Sequence, residues 1–209
     1  MTKNKSVIVV GGGAAGLMSA IHSAWSGAEV IIFEKNSRPA RKVLITGKGR
    51  CNVTNNCSIE TVMNNTPTNP KFLYSALNRF SPEDTMSFFE MLGVELKTER
   101  GNRVFPVSDK AKDIADALIN CAESAGCSIY EKNIKSLIIE NNTIKGVKDS
   151  NGVEYFADSV ILACGGASYP KTGSDGYGYV LARQAGHTVT KIKPSLVPVS
   201  YTHLRAHET

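Results

Sequence analysis

Val7-Ile8-Val9-Val10 runs directly into Gly11-Gly12-Gly13-Ala14-Ala15-Gly16, and a second apolar run, Glu29 to Phe33, is closed by an acid, Glu34. The spacing of about 20 residues between the glycines and the acid is that of a dinucleotide-binding turn. Each position has a mechanical reason. Gly11 permits the tight turn off a strand, Gly13 lets backbone N–H groups approach a pyrophosphate, and Gly16 lets a helix pack closely on the sheet. Ala14 and Ala15 open that helix, whose unpaired N–H groups and positive dipole end favour an anion. Glu34, followed by Lys35, is placed to accept hydrogen bonds from ribose hydroxyls. Its charge would repel a 2′-phosphate, so FAD or NAD fits better than NADP.

A second cluster lies between Thr46 and Asn55. Gly47 and Gly49 allow close backbone approach, Arg50 offers a cation for a pyrophosphate or a reduced ring, and Asn52, Thr54 and Asn55 supply uncharged donors and acceptors. Cys51 and Cys57 suggest a competing chemistry, a disulfide oxidoreductase. Five residues separate them, whereas the redox pairs that follow an FAD fingerprint have the spacing CxxxxC. A non-catalytic nucleotide-binding fragment is the remaining alternative. Nothing in the chain is assigned as a catalytic acid or base, and no metal ligands are assigned. His22 and His187 read as packed or surface residues.

The elements around these clusters predict an α/β fold. The first βαβ unit ends near Lys35, and residues 36–69 read as a long functional loop. Helices are expected over Pro70 to Phe80 and Pro82 to Leu92, the second opened by Ser81 with Pro82 at its first position. Short strands follow near Val94 to Lys97 and Arg103 to Val107. A helix is then expected over Lys110 to Ala125, capped by Ser108 or Asp109, with Ile114, Ala117, Leu118 and Cys121 on one face. Strand signals at Ser128 to Tyr130, Ile134 to Glu140 and Thr143 to Asp149 form a meander turned by Asn141-Asn142 and Asn151-Gly152. It leads to a buried-type strand, Ser159 to Ala163, ending at Cys164-Gly165-Gly166. The order implies a doubly wound parallel sheet with an antiparallel β-meander crossover, in which both glycine motifs face one ligand beyond the carboxyl ends of the strands.

Composition excludes several classes. The chain has 209 residues, a formal net charge of +5 and 21% charged residues. The charge is mild and unclustered, which favours a small-molecule substrate over nucleic acid or a membrane. No apolar run approaches the roughly 20 residues that span a bilayer. Five cysteines, an odd number with no CxxC pair, fit reduced thiols and a cytoplasmic setting. The oligomeric state is not legible.

Three longer stretches are more specific than the fingerprint. They are Arg41-Lys42-Val43-Leu44-Ile45-Thr46-Gly47-Lys48-Gly49-Arg50-Cys51-Asn52-Val53-Thr54-Asn55, Asn102-Arg103-Val104-Phe105-Pro106-Val107-Ser108, and Leu162 to Gly178 with its Ala163-Cys164-Gly165-Gly166 core. With the first turn they resemble the bacterial FAD-dependent flavoproteins of the aminoacetone oxidase-like and 3-dehydro-bile-acid reductase type, NAD(P)/FAD-dependent oxidoreductases. The resemblance covers roughly residues 5 to 199. It implies a Rossmann-like FAD-binding domain with FAD as cofactor and NAD(P)H as a possible electron donor. It places Arg41, Lys42, Gly47, Gly49, Arg50, Cys51, Asn52 and Thr54 around the flavin and Ala163, Gly165 and Gly166 near the adenosine. Such proteins run to about twice this length, so the chain reads as an incomplete N-terminal half, expected to be inactive alone. Residues 200–209 do not continue the family pattern and are expected to be a non-native read-through tail, His203 and His207 included.

Overall fold

The computed structural model describes residues 5–193. In chain order the elements are β1 (Ser6–Val10), α1 (Ala14–Trp25), β2 (Glu29–Glu34), a 3-10 turn (Val43–Gly49), β3 (Thr54–Asn55), α2 (Ile59–Asn64), a 3-10 turn (Pro70–Leu73), α3 (Tyr74–Arg79) and α4 (Pro82–Met91). They continue with β4 (Leu96–Glu99), β5 (Arg103–Pro106), α5 (Ala111–Ser124), β6 (Ser128–Glu131), β7 (Ile134–Glu140), β8 (Thr143–Asp149), β9 (Glu154–Phe156), β10 (Ser159–Leu162), a 3-10 turn (Pro170–Thr172) and α6 (Tyr177–Gln184).

The central sheet is parallel, in the order β10-β1-β2-β6. Its strands are short runs of Val, Ile and Phe because both faces are covered. Side-chain alternation divides them cleanly. Val9 lies in register with Ile32 on one side and Ile161 on the other, and all three pack against α1 and α5 with Leu17, Ile21, Ile114 and Leu118. Val10, in register with Phe33 and Leu162, points the other way, to Ile134, Val147 and Leu181 of the meander and α6. Leu17, Ile21, Ile114 and Leu118 are essentially inaccessible to solvent, and each contributes about 1.5–3 kcal/mol by burial. The result is a Rossmann-like α/β domain with helices on one face of the sheet and the antiparallel meander β7-β8-β9 with α6 on the other.

Several sequence expectations need correction. The stretch 36–69 is not structureless, since it holds the Val43–Gly49 turn, β3 and α2. The helix expected over Pro70 to Phe80 is a 3-10 turn followed by α3. Strand β6 lies in the parallel sheet beside β2 rather than in the meander, whose third strand is β9. The cap expected for α5 from Ser108 or Asp109 does not form: the N-cap is Lys110, without a side-chain cap. Asp109 instead sits at φ 56° with its carboxylate drawn to Arg50 and Lys97. The α4 opening has Ser81 as N-cap and Pro82 first, as expected, and the structure adds a reciprocal capping box in which Asp84 N–H donates to Ser81 Oγ at 3.1 Å and Ser81 N–H to Asp84 Oδ2 at 2.7 Å. Among the described residues no helix is long and apolar enough to cross a membrane. Residues 200–209, with His203 and His207, lie outside those described.

Candidate dinucleotide-binding site

The carboxyl ends of β1, β2 and β10 open onto a cavity of about 610 Å³, within the ~300–1,000 Å³ range of small-molecule sites. Two glycine contacts build its floor. A Cβ on Gly11, at φ 106°, would lie 2.5 Å from the Ala163 carbonyl oxygen, and one on Gly16 would lie 1.8 Å from the Gly11 carbonyl oxygen. Only glycines allow β1 to turn against the end of β10 and α1 to close on that turn. Gly13 differs, because a Cβ there would meet no atom within 4 Å. It is the N-cap of α1, in extended conformation, and that helix start has no capping side chain and no acid in its first turn. Gly13, Ala14 and Ala15 border the cavity, so an anion there meets the positive end of the helix.

Glu34 is buried at the end of β2. Its Oε2 accepts the Gly12 N–H at 2.7 Å, and its Oε1 accepts the Asn36 N–H at 2.9 Å and the Asn36 side-chain amide at 2.6 Å. Arg41 in turn donates to Asn36 Oδ1 at 3.1 Å. A carboxylate offers about four acceptor positions, so one remains on Oε2 for a hydroxyl. Lys35, Arg41, Lys42 and Lys132 border the cavity beside the acids Glu34 and Asp175, and Lys132 is also paired with Asp149 at 3.7 Å, which leaves a modest surplus of positive charge. The Lys35 ammonium, 2.8 Å from Asp175 Oδ2, holds that carboxyl below the usual range, against the opposing effect of burial. Lys42 donates to the Ser168 carbonyl oxygen at 2.8 Å, so the segment after β10 is tied to the segment after β2.

Of the residues singled out from sequence, Gly11, Gly13, Ala14, Ala15, Glu34, Lys35, Arg41, Lys42, Ala163, Gly165 and Gly166 border this cavity. Gly16 is not on its wall and packs against Gly11 and Ala163, which are. Gly47, Gly49, Arg50, Cys51, Asn52 and Thr54 are not on its wall; from that loop Val43 and Thr46 are. Sequence reasoning passed over Asn36, which carried no motif, and Lys132 and Asn133, which arrive because β6 runs beside β2 and the Lys132 N–H donates to the Glu34 carbonyl oxygen at 2.8 Å. Cys164 also lines the cavity, its thiol pushed up mainly by burial.

Cys51 and Cys57 are both free thiols. Burial pushes the Cys51 thiol up, against a hydrogen bond from Thr46, which is the opposite of what a reactive thiolate needs. His22 packs among Trp25, Phe80 and Phe88.

The chain matches the HI0933-like protein Rossmann domain over residues 5–203. It belongs to that family. Its curated relatives include 3-dehydro-bile acid delta(4,6)-reductase of Clostridium scindens, 36% identical over 191 residues, which cover 90% of this chain and 46% of that protein. Another is the ribosomal RNA dihydrouridine synthase of Escherichia coli, 29% identical, with 91% of this chain and 47% of the relative covered. The chain thus spans about half the length of these relatives. Among solved structures it resembles 3-ketosteroid-delta4-(5alpha)-dehydrogenase from Rhodococcus jostii RHA1 with a TM-score of 0.65 at 16% identity, covering 89% of this chain and 55% of that one. FAD is the cofactor of the family. The open Gly13 position, the uncapped start of α1 and the cationic rim fit its diphosphate, and the free acceptor position of Glu34 fits its ribose.

Proposed function

We propose that this chain is the FAD-binding part of a flavoprotein oxidoreductase that passes hydride from a reduced pyridine nucleotide or an organic substrate to an unsaturated acceptor or oxygen. The observation that carries this reading is the cavity itself, where an uncapped helix start meets a buried ribose-type acid and surplus cations. The N–H groups of the first turn of α1 hold the diphosphate, while Lys35, Arg41 and Lys42 offset its charge. Glu34 orients the ribose through the lone pair left on Oε2, and Val10, Phe33 and Leu162 supply apolar wall. When bound, FAD supplies two-electron chemistry at its ring.

The names of the two curated relatives suggest the acceptor. A delta(4,6)-reductase and a dihydrouridine synthase both add hydrogen across a carbon–carbon double bond conjugated to a carbonyl. That is the acceptor class we assign, on a small molecule in keeping with the mild charge, and in a cytoplasmic setting in keeping with the free cysteines. The test uses purified full-length protein under anaerobic conditions. NADH or NADPH is expected to bleach the flavin absorbance, and a conjugated enone to restore it. If oxygen restores the colour and no enone does, the protein is an oxidase. A protein that neither retains flavin nor binds added FAD contradicts the proposal.

A further inference from the structure

Outside the cavity, a densely connected polar cluster is built on Arg50. Its Nη2 donates to Glu99 Oε1, its Nε donates to Asp109 Oδ1 at 2.8 Å, and its guanidinium carbon lies 4.1 Å from the centre of the Phe105 ring. Lys97 completes the cluster, 2.7 Å from Asp109 Oδ2 and 3.6 Å from Glu99 Oε1, and Arg103 approaches the same ring at 5.8 Å. Lys97 and Glu99 stand on β4, Phe105 on β5, and Asp109 in the turn before α5. One side chain therefore ties the end of the Val43–Gly49 turn to three other places in the chain.

The Thr46–Cys51 turn, which begins inside that element where the backbone leaves the helical region at Thr46, is conformationally costly, with Gly47, Lys48, Gly49 and Cys51 all at positive φ, a region unfavourable for the two residues that are not glycine. Its interior is closed by the Arg50 N–H donating to the Gly47 carbonyl oxygen at 3.3 Å and the Cys51 N–H to that of Thr46 at 3.0 Å. Phe105, the ring beneath the guanidinium, would lie 3.1 Å from a Cβ on Gly47. Thr46, where the turn begins, borders the cavity, and Arg50 does not. The cations and acids of the cluster are committed to each other.

We propose that Arg50, held by Glu99 and Asp109 over Phe105, is a positioning residue that fixes the Thr46–Cys51 turn and presents Thr46 to the cofactor, and is not itself a contact to flavin or phosphate. The inference rests on the FAD-binding reading above. It makes Glu99 and Asp109 partners of Arg50 in one function, although neither borders the cavity.

A double-mutant cycle on FAD affinity, measured by fluorescence titration of the full-length protein, tests it. Arg50→Met and Glu99→Gln are each expected to weaken FAD by about tenfold, and the double variant to be no weaker than Arg50→Met alone, the non-additivity of residues in one network. Arg50→Lys, which retains one ion pair but not the fork or the stacking, is expected to recover part of the loss. The acid side supplies a second readout. The hydrogen bond from Lys97, opposed by burial and reinforced by Arg50, holds the Asp109 carboxyl below its ordinary range. Its contribution is complete above the ordinary carboxylate pKa and is lost as pH falls through the lowered value. Wild-type affinity should therefore fall at acid pH more steeply than that of the double variant. If Arg50 touched the cofactor directly, Glu99→Gln would leave FAD binding unchanged or tighter and the effects would add, and either result overturns the inference. A wild-type protein that binds no FAD contradicts the functional proposal instead.

Discussion

At residues 11–16 the chain leaves β1 with only Gly11 at positive φ, 106°, whereas the second glycine turn places Gly47, Lys48, Gly49 and Cys51 there, at 54°, 59°, 84° and 59°. The first turn needs little left-handed backbone. Its glycines remove Cβ atoms where β1, β10 and α1 close on one another, and Gly13 is left facing open space. The second turn puts nearly all of its unusual backbone into reversing direction, and its close neighbours are the Asn52 backbone and the Phe105 ring. Similar composition thus produces two devices. One brings backbone N–H groups to a cavity, and the other stiffens a wall through side chains that never reach it.

Substitutions at single positions separate the two. Gly16→Ala carries the largest expected effect, because the new Cβ would overlap the Gly11 carbonyl oxygen at 1.8 Å. A loss of about 3 kcal/mol, the upper end for overpacking, should appear as a much lower denaturant midpoint, and a near-neutral result would mean that the β1–α1 packing is wrong. Gly47→Ala should cost about 2 kcal/mol, from the left-handed backbone together with contacts at 2.9 Å to Asn52 N and 3.1 Å to Phe105. If chemical denaturation shows no change, the second turn is not the rigid element described. Lys48→Gly runs the other way. At φ 59° the lysine is strained, and relief less the added chain entropy should stabilise the protein by about 0.5 kcal/mol, measurable as a small rise in midpoint.

The same contrast explains what could be read from the residues. The first turn was legible because its logic is local: a strand, three glycines, a helix and an acid at a fixed distance. The partition of the sheet into two faces was not, because β1 and β2 are apolar on both sides and only the packing decides which side chains meet the helices and which the meander. The role of Arg50 was not legible, because its partners Glu99 and Asp109 lie 49 and 59 residues away and reach it only after β4, β5 and the start of α5 are in place. Asp109 illustrates the difficulty. A carboxylate just before a helix has the chemistry of a cap, and a tertiary ion pair took it instead. Asn36 escaped notice for a simpler reason. Its bonds to Glu34 are short-range, but an asparagine after a strand ordinarily signals only a turn.

The most direct test of the account is FAD affinity in the full-length protein with and without Gly13→Ala. The substitution meets no neighbouring atom and Gly13 has an ordinary negative φ of −78°, so stability should change by less than about 0.5 kcal/mol. The added methyl stands where the diphosphate must approach the backbone. We expect saturable binding by the wild type and binding about tenfold weaker in the variant, a difference of about 1.4 kcal/mol, with unchanged unfolding. Equal affinity in the two proteins would show that the cofactor does not lie on the start of α1, and the site described here would be wrong.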